Sequence, residues 1–475
     1  MKRKDALSSD PRTIDLVSDD RWRLHCRVER IGDDLLCRLG GGDEHVGAVA
    51  LAQWEVGRAR TECLIVGHHR EKELALHAAH RLCKASRRSA VCIAGIHFDD
   101  LTANEVQAVS RAADRLTKQA AKLVEDEREH LAVSESSILA RIESGAPELK
   151  EKIESFLRRP LDDLRSEHRA AIDSWAGEAI ELFAPLYLSN ACMNDCEYCG
   201  FRRSEHFPRT TLDREEALAQ ARYLAGQGHD SIELVTGEVP TPQFVEYIAG
   251  FCESLLAQRP AARVGLNVGA LDEAQYRRLR AAGAIDARIY QESYDQDVYF
   301  RVHRGGPKRD MAQRLAAPHR VARAGLPTVG LGILLGLAPL AAELARLCRH
   351  AEILREDFPE IGIDFSLPRI RPLRGSVPGH AAHVVEDEAL MKAFLYLRLR
   401  FPTAELTLST RESPLLRDAL LPLGISRLSA GVSTAPGGYC AECASAVEQF
   451  KISDTRSYAE IAETVRRAKR AVASR

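Results

Sequence analysis

From Ala184 onwards the chain alternates short apolar runs with longer amphipathic stretches. The runs are APLYLSN, SIELVTG, RVGLNVG, DARIYQE, TVGLGILLG, IGIDFSLPR, AELTLST and SRLSAGV, separated by helical patterns such as DREEALAQARYLAG and DEAQYRRLRAAG. Eight strand–helix units in roughly 250 residues predict a (β/α)8 barrel, with an incomplete six-unit barrel as the structural alternative. The uncharged stretch Ala324–Ala342 is long enough to raise a membrane span. Its glycines and its prolines, Pro327 and Pro339, make it a buried strand followed by a turn instead.

The N-terminal third has a different rhythm. RLHCRVERI and DDLLCRLGG flank Gly32-Asp33 and predict a hairpin; HVGAVALA and TECLIVG are further strands. KELALHAAHRLCKAS predicts a helix and SAVCIAGI a buried strand. From Thr102 to about Ser174 the pattern is helical and highly charged, with Pro147 and Pro160 expected as breaks. The resulting division is an α+β domain over 1–120, a charged helical linker over 121–175, a barrel over 176–435 and a C-terminal tail over 436–475.

Charge and composition narrow the function classes. With 66 Lys+Arg against 68 Asp+Glu, the chain of 475 residues has no basic field to argue for nucleic acid or an anionic membrane. Its N-terminus, MKRKDALSSDPRTIDL, carries no apolar signal region, so a cytoplasmic location is expected. Polar residues gather where the predicted barrel strands end: Ser189-Asn190, Thr236-Gly237-Glu238, Asn267, Gln291-Glu292, Ser366, Arg411-Glu412 and Ser429. Barrel enzymes build their sites at that face.

The 12 cysteines point to metal or redox chemistry rather than disulfides. Isolated ones such as Cys92 and Cys348 read as small buried hydrophobes. Two clusters remain. Cys192, Cys196 and Cys199 form C-x3-C-x2-C directly after the first barrel strand, with Tyr198 before the third cysteine. Three thiolates on a loop at a barrel mouth suit a [4Fe-4S] cube with one open iron corner. Structural zinc would need a fourth ligand, and the nearest, His206, is awkwardly placed. Cys440 and Cys443, in the PGGY loop, are either a small metal or redox pair or two ordinary loop cysteines.

The cysteine motif after a first barrel strand resembles the signature of the radical S-adenosylmethionine superfamily. LYLSNACMNDCEYCGF, LVTGEVP, YQESYDQDVYFRVHRGGPKRD, SLPRIRP, LTLSTRES, SAGVSTAPGGY and EQFKISDTRS resemble the aromatic amino acid lyases within it, most of all the tyrosine lyase branch of thiamine biosynthesis. The resemblance implies a TIM-type radical SAM barrel with a tail of the biotin/thiamine synthesis-associated type. It implies a [4Fe-4S] cluster on Cys192, Cys196 and Cys199, and S-adenosylmethionine held by Tyr198, Glu238, Gln291, Glu292, Arg309 and Arg314. Arg314 matches the family better than Arg309. Ser366, Arg369, Arg411 and Ser429 are the implied substrate residues, with Arg371 a further candidate; for Ser366, Arg369 and Arg371 the competing role is structural. The implied reaction cleaves the Cα–Cβ bond of an aromatic amino acid, tyrosine first, to dehydroglycine and p-cresol. Implied partners are a flavodoxin- or ferredoxin-type electron donor and a thiazole synthase or a decarboxylase. A radical enzyme on tryptophan or a phenolic acid, and a flavin-delivery protein with a degenerate barrel, are the alternatives. Two departures bear on substrate: Asp295 stands where a histidine is common, and Gln313 where a tryptophan is.

GGDEHVGAVALA, GHHREKELALHAAHRL and VCIAGIHFDDLTANEV resemble the small D-subunit of hydroxyaryl decarboxylases, regarded as a prenylated-flavin chaperone. His45, His68, His69 and His97, with Asp99, then form a candidate phosphate- or metal-binding pocket. Scattered surface histidines are the competing reading.

Overall fold

The computed structural model describes residues 13–18, 21–31, 34–55, 58–66, 71–86, 88–175, 178–371, 382–440 and 447–473. These fall into two compact units, 1–134 and 135–475.

The first unit is one six-stranded sheet carrying a helix. Its strands are β1 (Thr13–Val17), β2 (Leu24–Ile31), β3 (Asp34–Gly42), β4 (Ala48–Glu55), β5 (Arg58–Ile65) and β6 (Ala90–His97), with α1 (Lys72–Ser86) between the last two. They lie in the order β1-β2-β3-β6-β4-β5, and β3 and β6 are the one parallel pair. Alternation decides the core. Leu24, Cys26 and Val28, then Leu35, Cys37 and Leu39, then Ala48, Ala50 and Ala52, then Ala90, Cys92 and Ala94 all point to one face. Ala75, Ala78, Ala79 and Leu82 of α1 cover that face. Cys26 and Cys37 Sγ sit 3.7 Å apart inside this apolar layer; that contact and burial push the Cys26 thiol up, while the Cys37 thiol, lowered by the same contact, is pushed up overall by Cys92 and burial. They are packing residues, as their apolar flanks indicate. Only β1 was not anticipated by the apolar pattern, because TIDLV is short and acidic.

Helix α2 (Ala103–Arg158) runs without interruption through Pro147, where the sequence suggests a break. A proline forfeits one intrahelical hydrogen bond. Here Ile142, Ala146, Leu149 and Ile153 are buried on both sides of it, three of them in the core of the second unit. Tertiary packing outweighs the local penalty. Pro160 does end the helix, and becomes the N-cap of α3 (Leu161–Glu167), followed by α4 (Arg169–Trp175).

The second unit is a closed, all-parallel, eight-stranded barrel, so the six-unit alternative is excluded. Its strands are β7 (Glu181–Ser189), β8 (Ser231–Thr236), β9 (Arg263–Asn267), β10 (Asp286–Glu292), β11 (Thr328–Ile333), β12 (Gly362–Ser366), β13 (Glu405–Leu408) and β14 (Arg427–Ser429). Around them run α5 (Arg214–Gln227), α6 (Pro242–Gln258), α7 (Glu273–Ala281), α8 (Gln296–Val302), α9 (Met311–Arg323), α10 (Leu340–Asp357), α11 (Asp387–Arg400) and α12 (Pro414–Leu420), with α13 (Tyr458–Arg467) near the C-terminus. Capping boxes at Asp213 and Asp272 fix where α5 and α7 begin. The stretch Ala324–Ala342 is strand β11 and a turn leading into α10. Among the described residues, no helix is long and apolar enough to cross a membrane.

The lower lumen of the barrel is ionic. Arg288 donates from Nη1 to Asp286 at 2.5 Å and from Nε to Asp364 at 3.1 Å. Arg427 donates to Asp364 and Glu181, each at 3.2 Å. Gly265 and Gly330 make room for this plug: a Cβ at Gly265 would stand 2.6 Å from Arg288 Nη1. The plug fills the barrel from below and leaves a cavity above it, at the C-terminal ends of the strands.

Candidate active site

That cavity, about 190 Å³, is lined by Cys192, Cys196 and Cys199 together with residues from strand ends all round the barrel. The cysteine loop leaves β7 and is pinned before it turns. Asn190 Oδ1 accepts from Thr210 N–H at 2.7 Å, and Arg209 Nη1 donates to the Asn190 and Phe201 carbonyls at 2.9 Å each. Cys192 Sγ faces the N–H groups of Asn194 and Glu238, both at 3.4 Å. Cys199 Sγ faces Phe201 N–H at 3.4 Å and Gln449 Nε2 at 3.8 Å. Such N–H groups stabilise the thiolate form and tune sulfur ligands. Burial pushes all three thiols up, Cys196 to about 12.

Among the described residues, no three His, Cys, Asp or Glu side chains gather closely enough to hold a single ion. His206 is exposed, off the cavity. Three thiols set round one hollow, with N–H groups aimed at two of the sulfurs, fit corners of a cube rather than the ligand shell of zinc.

Beside the cysteines lies a ring of paired charges. Glu238 Oε2 accepts from Asn194 Nδ2 and from Arg314 Nη1, both at 3.1 Å. Burial works against the Arg314 charge, yet Glu238 holds the guanidinium above its ordinary value. Glu292 sits in the left-handed region at φ 70°, at a register shift where β10 meets β11. Backbone of that kind is strained for a non-glycine residue. Its Oε1 accepts from Lys308 Nζ at 2.7 Å. Tyr198 lines the cavity and its hydroxyl contacts His303 Nε2 at 2.7 Å. Burial drives His303 down to about 2, so this imidazole is neutral.

On the opposite wall, Arg411 lies with its guanidinium carbon 3.5 Å from the centre of the Phe450 ring. Among the described residues its side chain makes no ion pair and no hydrogen bond, and burial pulls its guanidinium below the ordinary value. Ser429 and Ser366 line the same cavity, and among the described residues Ser429 Oγ is buried without a hydrogen-bond partner.

Of the residues singled out in the sequence, Cys192, Cys196, Cys199, Tyr198, Glu238, Glu292, Arg314, Ser366, Arg411 and Ser429 share this cavity. Gln291, Arg309 and Arg369 lie off it. Gln291 is buried, with Nε2 donating to the Ser293 carbonyl at 3.3 Å. Arg309 Nη1 donates to the His303 carbonyl at 3.1 Å; the neighbouring Lys308 occupies the cavity instead. Arg369 is held by Glu412 at 2.9 Å and Asp387 at 2.7 Å, and Arg371 also donates to Glu412. Asp295 caps α8, accepting from Val298 N–H at 3.0 Å. Gln313 accepts from Arg320 Nη1 at 3.1 Å in a neighbouring hollow that shares Glu238, Lys308 and Arg314 with the main cavity. Cys440 is half-buried next to Tyr439, and Cys443 lies outside the described residues.

Sequence reasoning missed Lys308 and Glu233, and named Asn267 only as a polar strand end; Asn267 does line the cavity. For Glu233 a signal existed: it stands two positions before the cavity residue Val235 in SIELVTG, so it faces the lumen.

In the first unit, His45 and His97 rings lie 5.9 Å apart edge to face. His45 Nε2 is 3.4 Å from buried Glu71, and His97 Nε2 is 3.3 Å from Asp99. His68 and His69 lie outside the described residues.

Known proteins align with these parts in turn. Residues 18–125 match the prenylated flavin chaperone LpdD-like domain, 186–350 the radical SAM superfamily, and 366–469 the biotin and thiamin synthesis associated domain. The chain is 35% identical over 281 residues to 2-iminoacetate synthase of Escherichia coli (strain K12), covering 59% of this chain and 73% of that one. Among solved structures it is similar to HydG, a maturase of the [FeFe]-hydrogenase, at 32% identity and TM-score 0.62, covering 72% of this chain and 78% of that one. HydG from Carboxydothermus hydrogenoformans aligns at 30% identity and TM-score 0.60, covering 72% and 82%. The chain therefore belongs to the radical S-adenosylmethionine aromatic amino acid lyase family that includes 2-iminoacetate synthase, and its cofactors are a [4Fe-4S] cluster and S-adenosylmethionine.

Proposed function

We propose that the barrel cleaves the Cα–Cβ bond of an aromatic amino acid, tyrosine first, to dehydroglycine and p-cresol. The observation that carries this is Arg411, a cation in the cavity that forms no ion pair with any described carboxylate, although Glu292 favours its charge from a distance. An unpaired guanidinium in a partly dry pocket is costly, and a substrate carboxylate would relieve that cost with a bidentate contact. Ser429, with its buried, unpartnered hydroxyl, offers one more hydrogen bond on that wall. When bound, the reduced cluster and S-adenosylmethionine would supply the one-electron chemistry that begins Cα–Cβ cleavage of the substrate.

The chain's own residues do the placing. Cys192, Cys196 and Cys199 hold three irons. Glu238 is set to accept from the ammonium of S-adenosylmethionine, and Arg314 and Lys308 balance the carboxylates around it. Phe183, Pro185, Phe201, Val235, Leu334 and Phe450 supply apolar walls that keep water from the reacting atoms. For residues 18–125 the family match supports binding of prenylated flavin, and an electron donor of the flavodoxin or ferredoxin type is required to reduce the cluster.

The test is anaerobic loading with iron and sulfide, reduction, and mass spectrometry of products with tyrosine, tryptophan and phenolic acids. The proposal expects about four irons per chain, 5′-deoxyadenosine, and p-cresol with glyoxylate from tyrosine. No deoxyadenosine with any aromatic amino acid removes it. Flavin binding that persists in Cys192→Ala, with no turnover in the native protein, would support the delivery reading instead.

A further inference from the structure

The cavity has a second polar pole besides Arg411. Glu233 and Asn267, inward-facing on the adjacent strands β8 and β9, both line it, and Asn267 Nδ2 donates to Glu233 Oε1 at 2.9 Å. Glu233 is 5% exposed, and among the described residues its Oε2 accepts no hydrogen bond. Arg288 Nε does approach that oxygen at 3.0 Å, but the hydrogen on Nε is directed at Asp364 Oδ2, 3.1 Å away. The Glu233 carboxylate is thus neutralised by an ion pair while keeping acceptor capacity, and the Asn267 amide has a second hydrogen to give.

A buried carboxylate oxygen left without a hydrogen bond at the cavity wall is costly unless a ligand uses it. An acceptor next to a donor is the complement of a hydroxyl, which gives one hydrogen and takes another. A ring hydroxyl on the substrate has that character; an unsubstituted ring would leave both groups of the pair unsatisfied. Resting on the amino acid lyase reading above, we propose that Glu233, supported by Asn267, is a specificity-determining residue that selects substrates with a hydroxylated ring. Arg411 takes the carboxylate end and the Glu233–Asn267 pair takes the ring hydroxyl. Tyr187 stands near enough to both poles to feel the charges of Arg411 and Glu233.

The test compares wild type with Glu233→Leu, Glu233→Gln and Asn267→Leu in the full-length, anaerobically loaded protein. Two quantities are read: the ratio of kcat/KM for tyrosine over phenylalanine, and equilibrium binding of tyrosine, phenylalanine and p-cresol by calorimetry without reductant. Wild type is expected to favour tyrosine by at least a hundredfold. Glu233→Leu should cut that preference at least tenfold, mostly through loss of tyrosine and p-cresol binding, and Glu233→Gln should retain part of it. Asn267→Leu leaves the buried charges intact and should also lower the ratio, which guards against a folding defect in the first variant. An unchanged preference in Glu233→Leu, or equal binding of p-cresol by wild type and variant, overturns the proposal. If p-cresol binding depends on Glu233 while no lyase product forms, the hydroxyl site stands and the lyase reading falls. Lyase activity with no dependence on Glu233 gives the reverse.

Discussion

Asn194 reaches from the cysteine loop to donate its side-chain amide to Glu238 Oε2 at 3.1 Å, at the far end of strand β8. Its own Oδ1 accepts Lys308 N–H at 2.8 Å, so one buried side chain ties the loop to two other parts of the site. It is 2% exposed, and water cannot replace either bond. Asn194→Ala is expected to cost about 2–3 kcal/mol and to loosen the loop. Urea unfolding gives the first quantity. Iron retained after gel filtration gives the second, and should fall below wild type.

Arg411 behaves in the opposite way, because the described chain gives it no polar partner. Arg411→Gln should change stability by less than about 1 kcal/mol. Its KM for the amino acid should rise roughly tenfold to hundredfold, the value of a charge-assisted contact. Arg411→Lys should recover little, since an ammonium cannot form the bidentate fork. Steady-state kinetics beside a thermal melt separates the two effects.

Glu412 is the anchor behind that wall. At 1% exposure it accepts from Arg369 Nε at 2.9 Å, and Arg371 donates both to it and to the Arg411 carbonyl. Glu412→Ala would leave Arg371 without its carboxylate and Arg369 with Asp387 alone, at a cost of about 2–4 kcal/mol given that Arg369 stays partly solvated. It should also lower kcat/KM, because the backbone carrying Arg411 loses its tether. A variant as stable as wild type would show that the pair is merely incidental.

The barrel was legible in the sequence because β7 to β14 are buried and read as apolar runs, all but β11 ending in polar residues. What the runs concealed was charge at lumen-facing positions. Arg288 in DARIYQE, Asp364 in IGIDFSLPR and Glu233 in SIELVTG interrupt apolar runs at the parity that points inward, and together they make the plug and one pole of the cavity. The choice between Lys308 and Arg309 had no such signal. It is set by the single 3-10 turn at Pro307–Arg309, which sends the lysine inward and its neighbour out. Gln291 and Glu292 are adjacent, and alternation along β10 puts Glu292, with Arg288 and Tyr290, on the inward face and Gln291 off the cavity. Pro147 shows the converse case, a strong local signal overridden by packing on both sides.

Buried histidines give the barrel unit a definite acid sensitivity. His229 is 1% exposed, packed edge-on against Tyr458 at 4.7 Å, and burial lowers it to about 4 although its hydrogen bond to the Ala430 backbone works the other way. Unfolded, it takes a proton near the ordinary value of about 6.5. Between those two values the unfolded chain binds the proton and the folded chain does not. Stability is therefore full above about 6.5, falls as pH drops towards 4, and levels off below. The slope is about 1.4 kcal/mol per pH unit for this one residue. His303, His319 and His350 are depressed for the same reason, to about 2, 4 and 3, so the total acid loss cannot be assigned to His229 from wild type alone. A comparison with His229→Gln isolates it, because the amide keeps a donor and does not titrate. The stability gap between wild type and variant should narrow by about 1.4 kcal/mol between pH 7.5 and 5.5 in denaturant titrations. A gap constant across that range would mean His229 keeps its ordinary affinity for protons when folded.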